Sequence, residues 1–215
     1  GLPEATEFFA TARKRLAEEV RGLPGVDLIL AGEGPIPEGG VLAQRGATFG
    51  ERLLNALSDT EARGYTEILV VAGDVPGLSA RTLSEAFEAL ALGRVVLGPS
   101  PDGGAYLLGL SAGDVAARAV LGLVRWQTAH VALDLVRLLH AERRAVALLG
   151  ALTDIDRRAD LGLALGDVLD PALRALLRGL LAAPGGARAR RMRRAARSSA
   201  RPSAPARAPP RSVTV

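Results

Sequence analysis

Cysteine is absent from this 215-residue sequence, which excludes disulfides and thiolate metal sites together. Histidine is nearly absent. His130 and His140 are the only two, too few for a zinc centre built on histidine. Lysine is reduced to Lys14, the other basic residues being arginine, a bias of the kind GC-rich coding produces rather than a chosen chemistry. No apolar run approaches the roughly 20 residues of a membrane span, and Gly1–Ala10 lacks the basic start and apolar stretch of a signal peptide. The expectation is a soluble, cytoplasmic protein.

Charge is present but unevenly placed. The formal net charge is +4, yet nine of the 27 basic residues fall from Arg188 onward, where there is no acid. Residues 1–187 therefore hold 18 basic and 23 acidic groups, a net of −5. The high isoelectric point belongs to the end of the sequence, and a basic nucleic-acid-binding domain is not indicated. The length suits one domain with an extension, and about 180 residues bury roughly 70 % of the unfolded surface without staples.

Apolar periodicity divides the chain into alternating elements. Ala5, Phe8, Phe9, Ala12, Leu16 and Val20 recur at helical spacing across Glu4–Arg21. Val26–Ala31 reads as a buried strand, 32–40 as a Gly/Pro loop, and Phe49–Arg63 as an amphipathic helix stopped at Gly64. Ile68–Ala72 is apolar throughout, as a central parallel strand covered on both faces should be. Ser79 caps a helix running to about Ala91. Val95–Leu97, Ala105–Leu110 and Ala145–Leu149 read as strands. Asp114–Gly122, Ala129–Arg143, Arg157–Gly166 and Pro171–Leu181 read as helices. Such alternation predicts an α/β fold, a three-layer α/β/α sandwich around a mostly parallel sheet. Past Pro184 the sequence is Arg, Ala, Pro and Ser without apolar periodicity, so 1–183 is expected as the domain and 184–215 as a disordered tail. For that tail the plain reading is an unselected extension; the sharper one is a salt-sensitive contact with anionic lipid or nucleic acid.

Ligands of open parallel sheets bind where strands end at their carboxyl edge, and two segments place unusual residues there. Gly73-Asp74-Val75-Pro76-Gly77-Leu78 follows the Ile68–Ala72 strand. Asp74 offers a carboxylate at the strand tip that can hold Mg²⁺ or Mn²⁺ against a diphosphate, although an aspartate here can equally shape a turn. The second segment, Leu97 to Leu110, carries Pro101-Asp102-Gly103-Gly104 between two strands. Paired glycines let a backbone approach a sugar or base, and Asp-Gly is also a strong hairpin signal. On spacing alone both readings stand.

Taken with what surrounds them, GDVPGL and VVLGPSPDGGAYLLGL resemble the signature of a GT-A-like glycosyltransferase family. That family began as an uncharacterised domain family and includes members linked to arsenosugar biosynthesis; it is distantly similar to nucleotidyltransferases that load molybdopterin or phospholactate. Gln44 to Leu53 resembles its Q-x-G-x-x-L-G-x-R-M block, Arg125 to Thr128 its W-S-T, and Leu152 to Asp156 with Asp160-Leu161 its D-x-D-T-x-x-D-L. The resemblance covers roughly Gly1 to Leu165.

It implies a GT-A (nucleotide-diphospho-sugar transferase) fold and metal-assisted transfer of a sugar from a nucleotide-diphospho sugar to a small acceptor. Asp74 would be the metal and diphosphate carboxylate, in the turn made by Gly73 and Pro76, with Asp154 or Asp156 completing the Mg²⁺ or Mn²⁺ site. Asp102 would act as base or orient the acceptor, in a pocket lined by Gly103, Gly104 and Tyr106. Gln44, Gly50 and Arg52 would face the nucleotide, and Trp126 and Thr128 the acceptor. The alternatives are nucleotidyl transfer to a phosphorylated small molecule, or a non-catalytic remnant that binds a partner; Asp154 and Asp156 could equally cap a helix.

The sequence also departs from the pattern. Members begin with an apolar strand and a basic Gly/Pro loop, whereas Gly1-Leu2-Pro3-Glu4 matches the helix after that loop. A sheet lacking its first, central strand is therefore expected. Ala105 stands where an aromatic is common, and Gln127 replaces a serine.

Overall fold

A computed structural model describes residues 2–32, 40–182 and 211–214. The 32–40 loop and most of the expected tail therefore lie largely outside the described residues. In chain order the elements are α1 (Leu2–Arg21), β1 (Val26–Ala31), β2 (Val41–Leu42), α2 (Phe49–Ala62), β3 (Glu67–Val71), α3 (Ala80–Ala91) and β4 (Val95–Pro99). After these come β5 (Ala105–Ser111), α4 (Val115–Leu121), α5 (Val131–Ala141), β6 (Val146–Leu148), α6 (Asp160–Asp167), α7 (Pro171–Ala182) and β7 (Arg211–Thr214).

Seven strands form one sheet in the order β2-β1-β7-β3-β5-β4-β6. β5 runs antiparallel to both its neighbours, and the other pairings are parallel. One face packs Leu53 and Leu57 of α2, Ala117 and Val120 of α4, and Leu135 and Leu139 of α5 against Ile29, Ile68, Leu97 and Leu110. The other packs Leu16 and Val20 of α1 with Leu83, Phe87 and Leu90 of α3 against Leu69, Val96 and Leu107. Ala12 and Phe8, one and two turns before Leu16 on α1, join α6 and α7 in a third cluster. The predicted three-layer sandwich is the observed one.

Local chemistry explains where helices begin. Thr48 and Glu51 form a capping box at α2, the threonine hydroxyl accepting from the Glu51 amide and the Glu51 carboxylate from the Thr48 amide, so two end donors are satisfied at once. The Ser79 and Asp114 side chains accept from the Thr82 and Ala117 amides at α3 and α4. Residues 68–71 of β3 and 105–110 of β5 carry no charge, as strands covered on both faces should.

The seat expected to stand empty is filled. Arg211–Thr214, inside the stretch read as tail, forms β7 between β1 and β3, parallel to both. Ser212, Val213 and Thr214 are buried. Four residues flanked by Pro, Ala and Arg carry no usable periodicity, so this strand was invisible locally. What selects it is the pair of backbone edges on either side, whose amides and carbonyls would otherwise lack partners.

Candidate functional site

Two cavities adjoin near the carboxyl ends of β7 and β3. The larger, about 740 Å³, is lined by Asp74, Pro101, Asp102, Gly104, Gln127, Thr128, Thr153, Asp154, Asp156, Arg157 and Asp160, among others. The smaller, about 230 Å³, is a mostly apolar slot lined by Ala31, Leu53, Ala56, Val70, Ala72 and Leu108, with Gln44, Arg52, Tyr106 and Thr214 as polar residues. Phe49, Ala72, Ala105 and Trp126 line both.

The aspartates of the larger cavity come from three separate turns. Asp74 sits just past β3, and its carbonyl accepts from the Ile155 amide (3.1 Å), tying this turn to the segment carrying Asp154 and Asp156. Asp102 sits in the β4–β5 turn, where its Oδ1 accepts from the Gly104 amide at 2.8 Å. That turn is a hairpin, so the structural reading of Asp-Gly and the site reading hold together. Gly103 has φ +90°, and a Cβ there would overlap the Ala129 carbonyl. The hairpin thereby docks on the start of α5, where the Ala132 amide donates to the Gly103 carbonyl at 3.1 Å. Only glycine fits both demands.

Carboxylate oxygens of Asp102, Asp154 and Asp156 all lie within 4.8 Å of one another. Neither Asp154 nor Asp156 caps α6, whose N-cap Ala159 makes no side-chain cap bond; the Asp160 carboxylate accepts from the Asp156 and Arg157 amides (3.1 and 2.7 Å) and closes the turn before the helix. Burial pushes the Asp74 carboxyl up to about 6, with the charges of Asp154 and Asp156 adding to the rise. Asp154 is raised as well, first by burial and then by Asp102. The Ser100 hydroxyl beside it is buried without a complete hydrogen bond. Crowded carboxylates of this kind resist shared ionisation. An all-oxygen donor set fits a hard divalent cation such as Mg²⁺ or Mn²⁺ and suits soft metals poorly.

The aromatic divider is built by tertiary contact. Phe49, 39 % exposed at the first turn of α2, meets Trp126 with ring centroids 5.2 Å apart. The Trp126 indole donates to the Leu121 carbonyl (2.8 Å), and its ring lies where a Cβ on Gly50 would be. Gly50 thus makes room for Trp126 rather than facing a ligand. The Trp126–Thr128 turn is held on both sides. Arg125 grips Asp134 through two side-chain bonds of 2.8 and 2.7 Å and keeps that carboxyl down at about 2. The Thr128 hydroxyl donates to the Arg125 carbonyl. Between them Gln127 adopts φ +62°, a conformation uncommon outside glycine that tends to mark functional turns.

Of the residues singled out in the sequence, Asp74, Asp102, Gly104, Trp126, Thr128, Asp154 and Asp156 line the acidic cavity. Gln44, Arg52, Tyr106 and Trp126 line the slot. Gln44 donates to the Ala31 carbonyl (2.8 Å), and Arg52 to that of Ala47 (3.3 Å). Gly73, Pro76 and Gly103 line neither cavity; they shape the turns. Tyr106 is a core residue, 1 % exposed, packed on Gly98, and its hydroxyl donates to the Gly150 carbonyl (2.9 Å), so a ligand role for that hydroxyl is not available. Sequence reasoning missed Phe49 and Arg157. Phe49 had a signal, since an exposed aromatic immediately after a Thr48 cap serves no helix-forming purpose.

No helix among the described residues is long and apolar enough to cross a membrane. No curated protein matches the sequence significantly. A family profile described as an uncharacterized protein conserved in bacteria (DUF2064) matches residues 30–128, a span that holds Asp74, Asp102 and Trp126 and stops short of Asp154 and Asp156. Among solved structures, the chain superposes on a protein from Desulfovibrio desulfuricans G20 named provisionally as a nucleotide-diphospho-sugar transferase. The TM-score is 0.70 at 22 % identity, covering 83 % of this chain and 85 % of that one. The chain thus shares its fold with the Desulfovibrio protein over most of its length, and its residues 30–128 resemble an uncharacterised bacterial family.

Proposed function

We propose that this protein transfers a sugar from a nucleotide-diphospho sugar to a small acceptor, assisted by Mg²⁺ or Mn²⁺ held on Asp102, Asp154 and Asp156, with Asp74 beside them. The observation that carries the reading is the junction of the two cavities. An apolar slot suited to a flat ring opens, past an aromatic pair, onto a basin of carboxylates. A nucleotide-diphospho sugar has these two halves in this order.

A divalent cation bound there would neutralise charge on the leaving diphosphate. The chain's own residues do the rest. Phe49 and Trp126 offer faces for stacking, and Arg52 and Gln44 present donors at the slot. Asp102, exposed at the hairpin tip, would orient the acceptor hydroxyl against the cation that it helps to hold. Only Arg52 and Arg157 among the lining residues are cationic, which favours a diphosphate over the triphosphate that nucleotidyl transfer requires.

Thermal shift measurements test this, since a ligand bound only by the native state raises its melting temperature. UDP-, GDP- or ADP-sugars should stabilise the chain in the presence of Mn²⁺, and the effect should disappear in Asp74→Ala. A response to nucleoside triphosphates alone would move the assignment to nucleotidyl transfer. Silence with every nucleotide, with and without metal, would leave a non-catalytic fold that binds a partner.

A further inference from the structure

We infer that the seam between β1 and β3 is a strand-acceptor site, filled here by Arg211–Thr214, and that a separate peptide of the same pattern fills it in trans. The inference is independent of the chemistry at the acidic cavity.

β7 alone joins two parts of the sheet. On one side lie β2 and β1, on the other β3, β5, β4 and β6. All four of its residues pair on both flanks, Arg211–Thr214 with Val26–Ile29 and with Glu67–Val70. Two strand spacings of about 4.8 Å set the width of the seam, so one extended chain fits and nothing bulkier does. Vacating it leaves two unpaired edges in the centre of a sheet, which is the template used by proteins that bind peptides through added strands.

The occupant behaves as a ligand in its connectivity too. Twenty-eight residues of chain separate Ala182 from Arg211, so the strand is joined to the rest of the sheet by no short turn of the kind that fixes register. Register and direction come from the strand itself. Arg211 Nε lies 2.7 Å from Glu67 Oε2, and its guanidinium stands 5.4 Å above the Phe87 ring. Val213 is fully buried in the core on that same face. On the opposite face the Ser212 and Thr214 hydroxyls are buried without hydrogen-bond partners. The seam therefore selects an extended peptide reading cation, small residue, β-branched apolar residue, small or β-branched residue, and it tolerates the native hydroxyls rather than requiring them.

The experiment uses the whole chain with a protease site inserted between Ser199 and Ala200, cut after folding. A fluorescent peptide of residues 209–215 is then added and its anisotropy followed. The cut chain should take up the peptide. The uncut chain should take up at least tenfold less, because its own strand competes at an effective concentration of order millimolar. An unlabelled peptide carrying Thr214→Val should compete several-fold better than the native one, and one carrying Val213→Asp should not compete. The proposal is overturned if the cut chain takes up no peptide, whether it keeps or sheds its own strand. It is equally overturned if Val213→Asp competes as well as the native peptide, or if cut and uncut chains bind alike. A folding defect does not confuse the result, since the discriminating substitutions are in the peptide.

Discussion

The two cavities share a wall and differ in almost everything else. The slot is formed by residues that pack on the core, Leu53, Ala56, Val70 and Leu108, and it meets the basin where Phe49 and Trp126 line both. The basin is formed by turns, at Asp74, Asp102 and Asp154–Asp156, and gathers like charges that folding alone does not favour. Apolar burial stabilises the first; the second is held against its own repulsion by the backbone bonds Ile155 to Asp74 and Ala132 to Gly103. A region maintained at such cost, raising two carboxyls above their ordinary range, is where function is expected to concentrate.

That contrast can be broken or sharpened in four ways. The largest effect belongs to the double substitution Asp102→Asn with Asp154→Asn, which should weaken Mn²⁺ binding by about 100-fold or more, beyond the loss typical of an outer-shell partner. Titration calorimetry measures this, and unchanged affinity would place the metal elsewhere. Gly103→Ala comes next. A side chain at that φ, against the Ala129 carbonyl, should cost roughly 2–4 kcal/mol in urea unfolding and disturb the basin while sparing the slot.

Asp74→Asn should act in the opposite direction. A carboxyl raised from 3.8 to about 6 binds more protons folded than unfolded between those values, so it lowers stability as pH rises through that window. Without metal, the amide should therefore stabilise the protein at pH 7 by roughly 2–3 kcal/mol, a gain that fades below about pH 4. A melting temperature that does not rise at pH 7 would contradict the burial argument. The smallest effect is that of Phe49→Ala, about 1 kcal/mol for the lost ring pair. It should weaken nucleotide-sugar binding measurably and leave cation binding alone, separating slot from basin.

Much of this architecture is legible in local pattern. Unbroken apolar runs mark β3 and β5, and Thr48, Ser79 and Asp114 mark helix starts within a residue or two. The aspartates at strand tips point to a site because short loops at one sheet edge must converge. Other features leave no such mark. The two-residue β2 is too short to show a period, and Tyr106 sits in a glycine-rich motif that resembles a ligand loop while its ring turns into the opposite layer. Trp126 reads as either core or site, and it is both.

The sequence by itself determined most strands and helices, β2 and β7 excepted, where the helices begin, and which acidic residues stand at turns, since each depends on neighbours within a few positions. Only the tertiary structure decided that Arg211–Thr214 completes the sheet, that Phe49 and Trp126 divide two cavities, and that Asp102 meets Asp154 and Asp156. Those outcomes depend on groups brought together across 52 (Asp102 to Asp154) to 185 (Val26 to Arg211) positions of chain. No local periodicity encodes such a meeting; the unpaired groups waiting on each side do.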